Sequence, residues 1–102
     1  MVMPMKLKFN SLKDLLIFNI KYYRYVNNYS QEKLAELSKL SPRYITDVER
    51  GLHSPTIPKL ELIAKALNVE PYKLFMNEER NEESNLTTFR GQERPLDTYS
   101  VL

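Results

Sequence analysis

The chain has no cysteine, no tryptophan, two glycines and a single histidine. Without cysteine there is no disulfide framework and no thiol nucleophile, which agrees with a reducing, cytoplasmic setting. His53 stands without a cysteine or a clustered carboxylate partner, so no metal site and no cofactor are expected. There is also no glycine-rich phosphate loop and no nucleophile–base pair, which argues against an enzyme. No apolar run approaches the ~18 residues of a membrane span. The longest, Leu15 to Phe18, is one helical turn, and Met1 to Phe9 carries lysines but no apolar core of a signal peptide.

What is present is a chain of 102 residues, 27% charged, in which few glycines and frequent Leu, Lys and Glu favour helix over sheet. Its length suits one compact domain. The net charge of +2 hides an uneven distribution. Residues 1–76 carry 12 Lys and Arg against 7 Asp and Glu, net +5, whereas residues 77–102 carry 3 against 6, net −3. A basic body with an acidic tail fits a nucleic-acid binder, although +5 is also an ordinary solvated surface.

The most informative stretch is Ser30 to Gly51, SQEKLAELSKLSPRYITDVERG. Ser30 is an N-cap, and Leu34, Ala35 and Leu37 give the following helix an apolar side. Lys39-Leu40-Ser41 breaks the pattern. Ser41 caps a second helix, Pro42 suits its first position, Ile45 and Val48 form its inner face, and Gly51 closes it. Two short helices joined by a tight turn form the helix-turn-helix unit.

The flanking segments read as support. Residues 1–10 form a flexible lead-in in which Leu7 and Phe9 can dock on the body. Ser11 caps a first helix to about Asn27, with Asp14 near its positive end and Leu12, Leu16, Ile20 and Tyr23 at helical spacing, widened by Leu15 and Phe18. Tyr29 and Leu34 occupy the positions of a hydrophobic staple. Thr56 caps a fourth helix through Leu67, with Pro58 in its first turn, Leu60, Ile63 and Leu67 on one face, and Leu62 and Ala66 beside them. Val69-Glu70-Pro71 leads into a short fifth helix with Leu74 and Phe75 inward. The fold class is therefore all-α, a compact five-helix bundle over residues 11–76. Residues 77–102 read as an acidic tail, disordered or partner-binding, with Phe89, Leu96, Tyr99, Val101 and Leu102 too few for a core.

IKYYR, SQEKLAEL, LSPRYITDVERG and SPTIPKLELIAKALNVEPYKLF occur in an order and spacing that resembles the XRE family of helix-turn-helix regulators, which includes phage Cro proteins and repressors. The resemblance covers Ile20 to Phe75. It implies a phage-repressor type of DNA-binding domain and an ion pair between Arg24 and Glu49 that sets the angle of the second hairpin helix. It also implies a phosphate contact from Gln31. Lys39 stands where the family usually has glycine, and a left-handed lysine there costs roughly 1–2 kcal/mol.

On that reading the N-terminal half of the 42–50 helix enters the major groove. Pro42, Arg43, Tyr44, Thr46 and Asp47 face the bases, with Arg50 also outward. Arg43 can bond guanine O6 and N7 together. Asp47 can accept from cytosine N4, or form an i,i+4 bridge with Arg43 in the free protein. Tyr44 suits a thymine methyl or a phosphate, and Pro42 offers apolar contact. Phosphates are expected at Gln31, Ser41, Arg50, His53, Thr56 and Lys59, near helix starts whose free N–H groups favour anions.

The partner is then double-stranded DNA, bound by a homodimer on palindromic half-sites one turn, roughly 34 Å, apart. The dimer surface is expected near Tyr72, Phe75 and Met76, whereas Tyr22, Tyr25 and Tyr29 suit half-buried core. The leading function is a transcriptional regulator, most simply a repressor. The alternative is a protein-interaction module, such as an antitoxin or antirepressor, that binds another protein through the bundle and tail.

Overall fold

The computed structural model describes residues 4–5, 8–78 and 80–81. Four α-helices form the body: α1 Leu12–Val26, α2 Gln31–Ser38, α3 Pro42–Glu49 and α4 Ile57–Leu67. The expected fifth helix is a single 3-10 helix, Pro71–Phe75, so the bundle has four α-helices and a 3-10 turn. Five residues opened by proline are too short to repeat an i→i+4 ladder, and they close instead on tighter i→i+3 bonds such as Lys73 N–H to Glu70 O at 2.9 Å. One two-residue antiparallel ladder is also present, β1 Pro4–Met5 against β2 Arg80–Asn81.

The polar residues at helix starts do the capping that their positions predict. Side-chain oxygens of Ser11, Ser30, Ser41 and Thr56 accept from the backbone N–H of Asp14, Lys33, Tyr44 and Lys59. The exits share one device. Asn28, Lys39, Gly51 and Asn68 all have positive φ, between 62° and 83°. At each, the next residue's N–H reaches back across the last turn, as Leu40 does to Ala35 O at 3.0 Å, which makes four Schellman closures. Lys39 does keep the left-handed conformation, φ 63° and ψ 33°. At Gly51 an added Cβ would meet only Ile17 Cδ1 at 3.6 Å, so backbone conformation rather than space selects glycine there.

The core is one cluster drawn from every helix, including Leu16, Ile20, Leu34, Ile45, Val48, Ile63, Leu67 and Leu74. Ala35 is buried on α2, which packs against both α3 and α4, and a small side chain there lets neighbouring backbones approach. Three expected stripe members lie outside the core: Leu12, Leu37 and Leu62 are exposed. Leu37 and Leu62 both line a surface groove between α2 and α4, which their helical period alone does not distinguish from the core face. Tyr22, Tyr25 and Tyr29 are half-buried. Phe9 packs on Phe18, ring centroids 5.3 Å apart. Leu7 and the tail residues Phe89, Leu96, Tyr99, Val101 and Leu102 lie outside the described residues.

Asn19 was not singled out by the sequence pattern, yet it is fully buried. Its amide donates to the carbonyls of Leu74 and Met76 at 2.9 and 3.0 Å, tying the 3-10 turn to α1. Asn27 makes a similar tie, donating to Tyr23 O within α1 and to Leu67 O at the end of α4.

Two variants test these features by urea denaturation. Lys39→Gly removes the left-handed penalty but adds chain entropy to the unfolded state, so a net gain of about 0.5–1 kcal/mol is expected, seen as a higher midpoint at unchanged slope. Asn19→Ala leaves two carbonyls without their donor and is expected to cost about 2–3 kcal/mol.

Candidate nucleic-acid interface

The orientation of α3 is fixed by a buried polar network at its C-terminal end. Arg24 on α1 meets Glu49 in a bidentate pair, Nε to Oε2 at 2.8 Å and the second guanidinium nitrogen to Oε1 at 2.9 Å. Its remaining nitrogen donates to Tyr29 O at 3.0 Å, so the guanidinium also grips the α1–α2 connection. Both side chains are under one-tenth exposed. Such a pair is costly to desolvate and contributes geometry more than net stability, whereas removing one partner strands a buried charge at about 3–5 kcal/mol.

The network extends to two residues expected at the DNA. Gln31 Nε2 donates to Glu49 Oε1 at 2.8 Å, and Thr46 Oγ1 donates to Gln31 Oε1 at 2.9 Å. Gln31 and Thr46 are both half-buried. In the free chain their side chains therefore brace α2 against α3. What α2 presents for a phosphate at this point is the backbone of its first turn, at the positive end of its dipole.

A second cluster covers the outer face of α3. Gly51 and the Leu52 N–H bond to Asp47 O, at 2.8 Å, turn the chain back so that His53 lies over the helix. The His53 and Tyr44 rings stack with centroids 5.9 Å apart and planes 12° from parallel. Lys59, in the first turn of α4, places Nζ 4.6 Å from the Tyr44 ring centre. Burial pushes the Tyr44 phenol above its ordinary range, and its neutral hydroxyl can donate to a phosphate. Residues expected from two distinct segments, Tyr44 in one and His53 with Lys59 in the other, are thus one surface.

Asp47, expected either to face the bases or to bridge Arg43 in the free protein, has a side chain that is 11% exposed and held from both sides. Oδ2 lies 3.4 Å from Arg43 Nε and 3.5 Å from His53 Nε2, and Oδ1 is buried without a hydrogen-bond partner. The i,i+4 bridge is the arrangement adopted. Arg43 is 86% exposed while Asp47 is nearly buried, so solvent screens this bridge only in part, and the guanidinium can still swing to a base edge that replaces the carboxylate.

The other candidates are placed as follows. Pro42 is exposed at the first position of α3, beside its cap Ser41. Thr56 caps α4, and Arg50 is exposed at the opposite, C-terminal end of α3. The face thus combines an exposed arginine, an aromatic–lysine stack and two capped helix starts. That combination suits the hydrogen bonding and charge of a duplex.

Comparison with known proteins agrees. A family model described as helix-turn-helix matches residues 20–74. The control protein C.SmaI of Serratia marcescens is 45% identical over 67 residues, covering 66% of this chain and 80% of that protein. The control protein C.BamHI of Bacillus amyloliquefaciens is 46% identical over 49 residues, covering 48% and 60%. Among solved structures, the restriction-modification controller protein C.Esp1396I superposes with a TM-score of 0.60 at 37% identity, covering 66% of this chain and 86% of that one. The hypothetical transcription factor NHTF from Neisseria gives 0.66 at 25% identity, covering 85% and 95%. With its capped hairpin, buried Arg24–Glu49 brace and this match over more than half its length, the chain belongs to the XRE-type helix-turn-helix family of transcriptional regulators.

Proposed function

We propose that the chain is a sequence-specific, non-catalytic DNA-binding regulator that reads a palindromic operator as a homodimer through α3. The observation that carries this reading is the exposed Arg43 beside the Tyr44–His53–Lys59 cluster, on a helix whose angle a buried ion pair fixes. Arg43 discriminates guanine by its planar fork. Tyr44, His53, Lys59 and Arg50 join the first turns of α2, α3 and α4 in holding phosphates, with Ser41 and Thr56 at two of those starts. Pro42 supplies apolar contact. Gln31 and Thr46 act on the DNA mainly by holding α2 and α3 in register.

One domain of this size contacts few base pairs, and two-fold pairing doubles the site. The exposed Tyr72 and Met76, next to half-buried Phe75, are the apolar surface offered for that pairing. Occlusion of a promoter makes repression the simplest outcome. The relatives named as control proteins, together with the similar restriction-modification controller protein C.Esp1396I, support a place in governing a restriction–modification system, in the cytoplasm where its DNA is.

Selection of bound sites from random duplexes tests the reading. A two-fold site with half-site centres about 34 Å apart is expected, and recovery of no enriched sequence overturns it. Against the selected duplex, Arg43→Ala should lose about 1–3 kcal/mol of discrimination at one base pair in each half-site. Wild-type affinity should also fall steeply between about 50 and 200 mM salt, as counterion release requires.

A further inference from the structure

Asp47 is unusual for a residue on a DNA-facing helix. It is a carboxylate set between an arginine and a histidine, and it is nearly buried with one oxygen unpartnered. Its other oxygen is shared by Arg43 on one side and His53 on the other, at 3.4 and 3.5 Å. Among the described residues, the further titratable groups lying against this cluster are Tyr44, stacked on His53, and Lys59, over Tyr44. Arg43 therefore starts from a paired state, and any DNA contact it makes must replace that pair.

We propose that Asp47 and His53 form a specificity filter: Asp47 is a positioning residue that holds Arg43 back from poor acceptors, and His53 keeps the carboxylate partnered once Arg43 leaves. A guanine edge offers two acceptors to the guanidinium fork and compensates for the lost carboxylate. A lone phosphate oxygen or a non-guanine edge compensates less, so Arg43 stays with Asp47. When Arg43 moves away, Asp47 would be a buried anion with neither oxygen paired, a state that is strongly unfavourable. His53 prevents it, because its Nε2 lies 3.5 Å from the same Oδ2 and can close on it by donating an N–H, with the stack on Tyr44 holding the ring alongside. The filter rests on the DNA-reading function proposed above and adds to it a source of selectivity outside the base-contacting side chains.

The experiment measures affinity of the wild type, Asp47→Asn, His53→Ala and the double variant for three duplexes. These are the selected site, the same site with the guanine at Arg43's position replaced, and an unrelated sequence. His53 is more than half exposed on its side chain, so if Asp47→Asn does not fold, His53→Ala alone still tests the filter. A lost phosphate contact weakens the selected and unrelated duplexes equally, whereas the filter predicts a larger loss at the selected site. Asp47→Asn is expected to raise affinity for the unrelated duplex about 3- to 10-fold while lowering the ratio of selected to guanine-replaced binding about tenfold. His53→Ala is expected to weaken the selected site about 5- to 10-fold and the unrelated duplex less, and that loss should vanish in the Asp47→Asn background. Losses that simply multiply in the double variant, or an unchanged ratio in Asp47→Asn, overturn the filter. A changed preference at a cytosine with no coupling to His53 also overturns it, since Asp47 is then a direct reader. If the wild type itself prefers none of the duplexes, the DNA-reading function fails and the filter with it. A preserved wild-type preference with independent variants removes the filter alone.

Discussion

The structure depends on one buried ion pair. Arg24 leaves α1 and binds both oxygens of Glu49, the last residue of α3, while its third nitrogen holds Tyr29 O at the start of the hairpin. Three elements converge on one guanidinium whose fork has a fixed shape, so the angle between them has little freedom. Apolar packing of Ile45 and Val48 holds α3 against the body, but a dispersion contact tolerates rotation in a way that a bidentate bond does not. For a helix that must enter a groove, that directional constraint matters more than the net stability of the pair.

From this brace the polar contacts spread outward. Gln31 and Thr46 carry it to the α2–α3 seam, and the α3–α4 connection folds back to put His53 on Tyr44 and Asp47. The rigid end of α3 is thus its C-terminus, and its N-terminal half is left exposed at Pro42 and Arg43. A recognition element needs that division: fixed where it meets the body and open where it meets the ligand.

All four helices end in left-handed residues, only one of which is glycine. Asparagine serves at two of the others because its short polar side chain tolerates this conformation. Lys39 has no such advantage. The cost is local and is borne because the two bonds from the Lys39 and Leu40 N–H groups close α2 while Ala35 and Ser38 stay buried in the hairpin. A weak position of this kind persists where the surrounding packing determines the turn.

The helices, their caps and the hairpin were legible in the sequence because each depends on neighbours within one or two turns. Ser11, Ser30, Ser41 and Thr56 cap as their positions imply, and Ile20, Leu34, Ile45, Val48, Ile63 and Leu67 fall inward at helical spacing. The Arg24–Glu49 pair was legible only through resemblance to a family, since nothing local joins residues 25 positions apart. What tertiary structure alone decided is how side chains near the edge of a face are used. Leu37 and Leu62 lie on the border of apolar stripes and fall in a groove instead of the core; Asn19 lies within a stripe and bonds a distant turn. Asp47 looked outward by helical period, but the path of the loop after Gly51 covers it. The period of a helix fixes the direction of a side chain, and only the rest of the fold fixes whether solvent, DNA or another residue is waiting there.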